Sequence, residues 1–264
     1  LLVGTGTYDL QSATNNFATI AANETGDIFY RDADTLTVGS VTDPRPGGLT
    51  TNGITTGDGN LYLQTGGLLT IAQNVVAGAG TVELNSAAGA TETTGAMTGA
   101  NLLLVGTGTY DLQSATNNFT TIAANETGNI FYRDADTLTV GSVTDPRLGG
   151  LTTNGIITGN GNLYLRTGGL LTISENVVAG AGTVELNSAA GATETTGYMT
   201  GTNLLLAGTG TYDLQNAANN FTTIAANETG NIFYRDADTL TVGSVNDLLT
   251  AVPVSGITTN NGNL

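Results

Sequence analysis

Cysteine, lysine, histidine and tryptophan are all missing from the 264 residues. Without cysteine there are no disulfides and no thiol chemistry, so stability has to come from packing and hydrogen bonds. Positive charge is confined to Arg31, Arg45, Arg133, Arg147, Arg166 and Arg235, against 22 acidic residues and a formal net charge of -16. Such a surface repels phosphate backbones and anionic lipid headgroups, so nucleic acid is not an expected partner. No apolar run approaches the roughly 20 residues a membrane helix needs, so insertion into a membrane by a helix is not expected either. Helix signals are also wanting. No stretch holds apolar residues at three-four spacing over three turns, and Gly recurs too often for stable helices. Charged residues make up only 11% of the chain and hydrophobic ones 39%, at regular short intervals. That balance favours order over disorder.

What the chain does have is a repeat. The segment DIFYRDADTLTVGSV at Asp27 recurs as NIFYRDADTLTVGSV at Asn129 and at Asn231, and Tyr8, Tyr110 and Tyr212 recur at the same interval of 102 residues. Residues 1–101 match 103–203 with ten substitutions, among them Pro46 for Leu148, Gln64 for Arg166 and Ala96 for Tyr198. The third copy follows nearly the same text to Val245 and then departs as NDLLTAVPVSGITTNNGNL. A fixed period of this kind takes precedence over other sequence signals. It divides the chain into units 1–102, 103–204 and a partial unit 205–264. The text opens and closes in mid-repeat, which is what a segment of a longer polypeptide would show.

A shorter rhythm runs inside each unit. GNIFYR at Gly128, GNLYLR at Gly161, GTVELN at Gly182 and TNLLLA at Thr202 are spaced by about 33, 21 and 20 residues, and the next GNIFYR follows 28 residues later at Gly230. Each interval breaks into short segments rich in Val, Ile, Thr, Tyr and Phe and bounded by Gly, Asn and Asp, which read as strands. The second positions are TLTVGSV, LLTISEN, ATETTG and TYDLQNA; the third are LTTNGIIT, NVVAGAG, YMTG and NFTTIAA. Three short strands per coil predict an all-β fold, a parallel β-helix (β-solenoid) with about four coils per 102-residue repeat and about ten in the chain. Ile130 and Tyr132, Leu163 and Leu165, Val184 and Leu186, and Leu204 and Leu206 form the expected inward column. One coil cannot bury its inner face alone, whereas stacked coils share a continuous core. A sandwich, a propeller or one immunoglobulin-like domain per unit fits less well, because the unit has sub-repeats of its own and no buried Trp.

The run LLLVGTGTYDLQSATNNFTTIAANETGNIFYRDADTLTVGSV, followed by GLTTNGIITGNGNLYLRTGGLLTISENVVAGAGTVELNSAAG, resembles the long repeat regions of filamentous-haemagglutinin-like bacterial exoproteins. The resemblance covers essentially the whole chain and is most specific at NNFTTIAAN, YRDADTLTVGSV and GNLYLRTGGLLTI. It implies a right-handed parallel β-helix shaft, an extracellular place at the bacterial cell surface, and secretion by the two-partner route. It carries no catalytic residues.

Candidate sites follow from the alternation of strands. Phe29, Tyr62, Phe131, Tyr164 and Phe233 fall on the outward line of the first column, with Glu185, Leu103 and Leu205. An exposed aromatic stripe can bind sugars or pack on another shaft. A plainer alternative is that a loop such as TDPRLGG, after Val143, folds over and covers them. The DAD motif makes Asp32, Asp34, Asp134 and Asp136 the candidates for metal. Calcium takes six to eight oxygens, and two Asp per coil supply too few, so a solvated corner with Asp capping turn amides is the preferred reading and no cofactor is expected. An acid pair for glycoside cleavage needs two carboxylates across one bond, and a catalytic pair copied identically along a shaft is not expected. Asn23, Asn118, Asn125, Asn220 and Asn227 lie in N-x-S/T sequons, which in this setting read as turn and ladder asparagines. The expected function is that of a structural and adhesive shaft. Its expected partners are other copies of itself, end to end or side by side, or host and matrix glycans.

Overall fold

A computed structural model describes residues 1–264, and every regular element in it is a β-strand. Twenty-nine of the strands join one continuous sheet whose pairings are parallel, and the coils stack as a β-solenoid of about 12 turns. At about 4.8 Å per rung the stack is on the order of 60 Å long. The inward column is the one expected. Ile130 stands in register with Leu163, Leu163 with Val184, and Val184 with Leu204. These residues are completely buried within a core of 47 side chains that runs from Ile20 to Ile232 without interruption.

The rung after Leu204 differs from expectation. Leu204 pairs with Ile224, in NFTTIAAN, rather than with Ile232 of the next NIFYR segment. That segment lands instead on the second face, where Tyr212 pairs with Ile232. The interval of 28 residues therefore holds an extra half rung. The cause is local. Strand Asn220–Thr229 turns Ile224 and Ala226 inward, so it extends the first column instead of forming a third face. The third face closes at its start. In the unit before, Asn117 is fully buried there, accepting the Met97 N–H at 2.7 Å and donating to Glu92 at 3.0 Å, and Phe119 fills the corner beside Gly99.

Following the register from Ile28 through Leu61, Val82, Leu102, Ile122 and Val140 takes five steps, and from Leu138, on the same strand as Val140, through Leu171, Ala192 and Tyr212 to Ile232 takes four more. Nine rungs span two units, so each unit makes four and a half. Ile28 and Ile232 share a face, two residues apart in register, while Ile130 belongs to the column of Leu36, Leu69, Ala90 and Tyr110. Successive units are thus turned by half a revolution.

The corner ahead of the first column is held by glycine and asparagine. A Cβ on Gly161 would run into the carbonyl of Gly128, and one on Gly182 into that of Gly161, so the rungs close up only without side chains there. Beside them the Asn129 Oδ1 accepts the Asn162 N–H at 2.8 Å, and the Asn162 Oδ1 accepts the Thr183 N–H at 2.9 Å. Each Asn satisfies an amide that the turn would otherwise leave unpaired.

Two substitutions check this arrangement by urea unfolding of the whole chain. Leu165→Ala, which empties a fully buried site, is expected to cost about 2–5 kcal/mol. Gly161→Ala is expected to destabilise although it adds only one methyl, because the added carbon meets backbone rather than a side chain that can move.

Candidate functional site

The candidate site lies on the outer wall of the first column. Phe29, Tyr62, Glu83, Leu103 and Ala123 point outward on successive rungs, in register. On the following rung, Leu138–Val140 and Ile156–Ile157 pair with the two halves of one strand, Asn118–Glu126. They are parts of a single rung interrupted by an insertion, and Gly155 N–H closes the gap onto Gly141 O at 2.9 Å. The insertion is an antiparallel hairpin, Ser142–Thr144 against Thr152–Asn154, with Thr144 and Thr152 hydroxyls 2.8 Å apart.

This hairpin folds back over the wall. Val143 packs on Leu103 and Ala123 in a small buried cluster of its own. Asp145 faces Glu83, and the Arg147 guanidinium lies 3.9 Å from the centre of the Tyr62 ring, a cation–π contact. The Asp145 carboxylate holds Arg147 in place, accepting Nε at 3.0 Å and Nη2 at 2.5 Å. Alternate hairpin residues therefore cover rung after rung, Val143 within its own unit and Asp145 and Arg147 on the unit before. The third unit repeats the device with other chemistry. Val245 packs on Leu205 and Ala225, and the Leu248 N–H donates to Glu185 at 2.7 Å.

The aromatic line is consequently not one exposed stripe. Tyr62 and Tyr164 are buried, Phe29 and Phe131 are half-buried, and Phe233, with no hairpin over it, is 39% exposed. What sequence reasoning placed together stays on one line in each unit, but two of the five side chains are covered. Beside the hairpin tip a cavity of about 610 Å³ remains, lined by Phe29, Gln11, Asn85, Asn125, Asp145 and Arg147 among others.

The DAD corner also departs from the solvated reading. Asp34 and Asp136 are exposed, but Asp32 and Asp134 are buried. The Asp134 Oδ2 accepts the Tyr132 hydroxyl at 2.6 Å and the Phe119 N–H at 2.9 Å, while Oδ1 accepts the Asp136 N–H at 3.0 Å. Asp32 does the same for Tyr30, Phe17 and Asp34. The first Asp of each pair is thus a capping group for an inward tyrosine and two turn amides. No three acidic side chains converge into a set that could hold a metal ion.

Burial controls the electrostatics of the wall. Glu83 has an oxygen with no partner, and burial, reinforced by Asp145, pushes its carboxyl up to about 8. Burial raises Glu185 to about 7, partly opposed by the Leu248 N–H and reinforced by the charge of Asp247. Tyr62 is pushed up to about 12 by burial. Asp145 is itself partly buried, which works against its charge, yet the Arg147 hydrogen bonds hold its carboxyl below the ordinary value. The two hairpin seats are thus carboxylic acids that keep their protons to near-neutral pH. Inside the solenoid, burial also raises Glu126 and Glu228, each to about 7. Sequence patterning set Glu185 on the outward line but gave neither it nor Glu83 a buried place, because an outward Glu on a strand reads as solvated until the covering hairpin is known.

Searches against known protein families, curated proteins and solved structures return no match.

A carboxyl raised in the folded state favours folding most fully below its ordinary value of 4.5, and that contribution is lost as pH rises through the folded value. The melting temperature is therefore expected to fall between pH 4.5 and about 8. Glu83→Gln, which keeps shape without the charge, is expected to flatten the upper part of that fall in a thermal melt series. Asp145 acts oppositely and only in more acid solution, where its lowered value is crossed.

Proposed function

We propose that the chain is a segment of a structural and adhesive shaft of a large bacterial surface protein, extracellular and without catalysis, and akin in design to filamentous-haemagglutinin-like exoproteins. The observation that carries this reading is the strap across each unit boundary. The core runs through all units without a break, and the hairpin of one unit reaches onto the wall of the unit before it, Arg147 onto Tyr62 and the Leu248 N–H onto Glu185. Such a rod resists bending and shear at the joins, where a string of separate domains would be weakest. Parallel backbone ladders run along the axis between rungs and couple each rung to its neighbours. Length is then set by copy number. The partners on this reading are further copies of the unit, end to end or side by side.

A second reading, binding of host or matrix carbohydrate, is favoured by the cavity at the hairpin tip. It brings the half-buried Phe29 together with the amides of Gln11, Asn85 and Asn125, a ring and hydrogen-bonding groups of the kind that suit a sugar.

Electron microscopy of chains with added tandem units separates the shaft from a chain of beads. Rigid rods are expected, lengthening by roughly 20 Å per unit from four and a half rungs. Flexible beads would count against the shaft. A glycan array tests the second reading: selective binding lost on Phe29→Ala supports it, and rods that bind no glycan leave the structural reading alone.

A further inference from the structure

We propose that Arg133 and Arg166 form a binding site for a tetrahedral oxoanion, a sulfate or phosphate group, on the outer wall of the second unit. The two residues are register partners on adjacent parallel rungs. Rungs lie about 4.8 Å apart, and like charges placed directly opposite destabilise a sheet unless something compensates them. Neither arginine has an ion-pair partner in the chain. Its two ion pairs are Arg45 with Asp43 and Arg147 with Asp145, both within hairpins. Arg166 also lies beside Tyr164, whose phenol is raised by burial and so stays neutral. In a protein with a formal charge of -16, two adjacent arginines in no ion pair are an anomaly that an anion would resolve.

The surroundings fit. Asn187 follows Arg166 in register on the next rung, and the three residues line a concavity of about 300 Å³ together with Ser188 and Thr209. Asp134 borders the same concavity, but both of its oxygens already accept the hydrogen bonds from Tyr132, Phe119 and Asp136. Two guanidinium groups one above the other each offer a fork of N–H donors. A planar carboxylate is matched by one fork, whereas a tetrahedral oxoanion has oxygens enough for both. The overall negative charge opposes a polyanion, so the ligand is an isolated group: a free ion, or a single ester on a neutral sugar.

Comparison of the units isolates the feature. The first unit carries Arg31, Gln64 and Asn85 at the same three register positions. The pair thus arises from one of the ten differences between otherwise matching units. In the third unit Arg235 is the only arginine.

The test is calorimetric titration of the whole chain, at low ionic strength, with inorganic sulfate, glucose 6-sulfate and glucose 6-phosphate. Saturable binding of at least one is expected, and the tightest of the three identifies the source of the group. Arg166→Gln restores the residue that the first unit already uses, so folding should be retained, and binding is expected to weaken about tenfold or more with loss of the charged fork. Arg235→Gln is expected to leave binding unchanged. The proposal is overturned if none of the three ligands saturates, if Arg166→Gln binds as the parent does, or if Arg235→Gln abolishes binding.

Discussion

Everything in this molecule depends on keeping successive rungs in register at the spacing of a parallel sheet. A single rung of this chain has two or three short strands, no disulfide and no helix to lean on. Its inner face is buried only because rungs above and below supply the other walls. Whatever fixes the register therefore fixes the core. Two devices do so at the corner before the first column. Glycines let backbone lie on backbone, and asparagines hand a side-chain oxygen to the amide of the next rung. Inward tyrosines do similar work elsewhere: the Tyr110 hydroxyl accepts the Ser86 N–H at 2.9 Å and donates to Val105 O at 2.5 Å, which ties three strands of neighbouring rungs together.

The inner column was legible because alternation is a local property. Ile130, Leu163, Val184 and Leu204 could be aligned from their shared context of Gly, Asn and two flanking apolar residues, and the structure stacks them in that order. The extra half-coil was less legible. NFTTIAAN carries the marks of a strand but not of a face, and its place depends on Phe119 and Asn117 closing the corner before it. Coverage of the aromatic line was harder still. Tyr62 and Phe29 have the same alternation and similar neighbours; one is buried and the other half-buried because of how far the hairpin reaches, which is a distance in space with no local sequence signature. The residues of the hairpin do carry a trace of it, in the alternation of Val143, Asp145 and Arg147 that matches the wall beneath.

The same hairpins explain where the ionisable groups went. A chain with so many carboxylates would be expected to keep them in water. Instead Glu83 and Glu185 sit under straps, and Glu126 and Glu228 lie inside the corner of the solenoid, all with burial as the chief influence on their protons. Holding a carboxylic acid in its neutral form lets a polar side chain occupy a dry place without a counter-ion. It also means that the effective charge of the folded molecule near neutrality is smaller than the formal one.

The half-revolution between units has a consequence for how such an array can change. Near-identical tandem copies invite loss or gain of whole copies by recombination. In a solenoid whose unit filled a whole number of turns, that would alter length alone. Here the removal of one copy also swings everything beyond it to the far side of the rod, while removal of two restores the original facing. Parity of the copy number, and not only its size, then decides on which side the distal part of the molecule presents its surface.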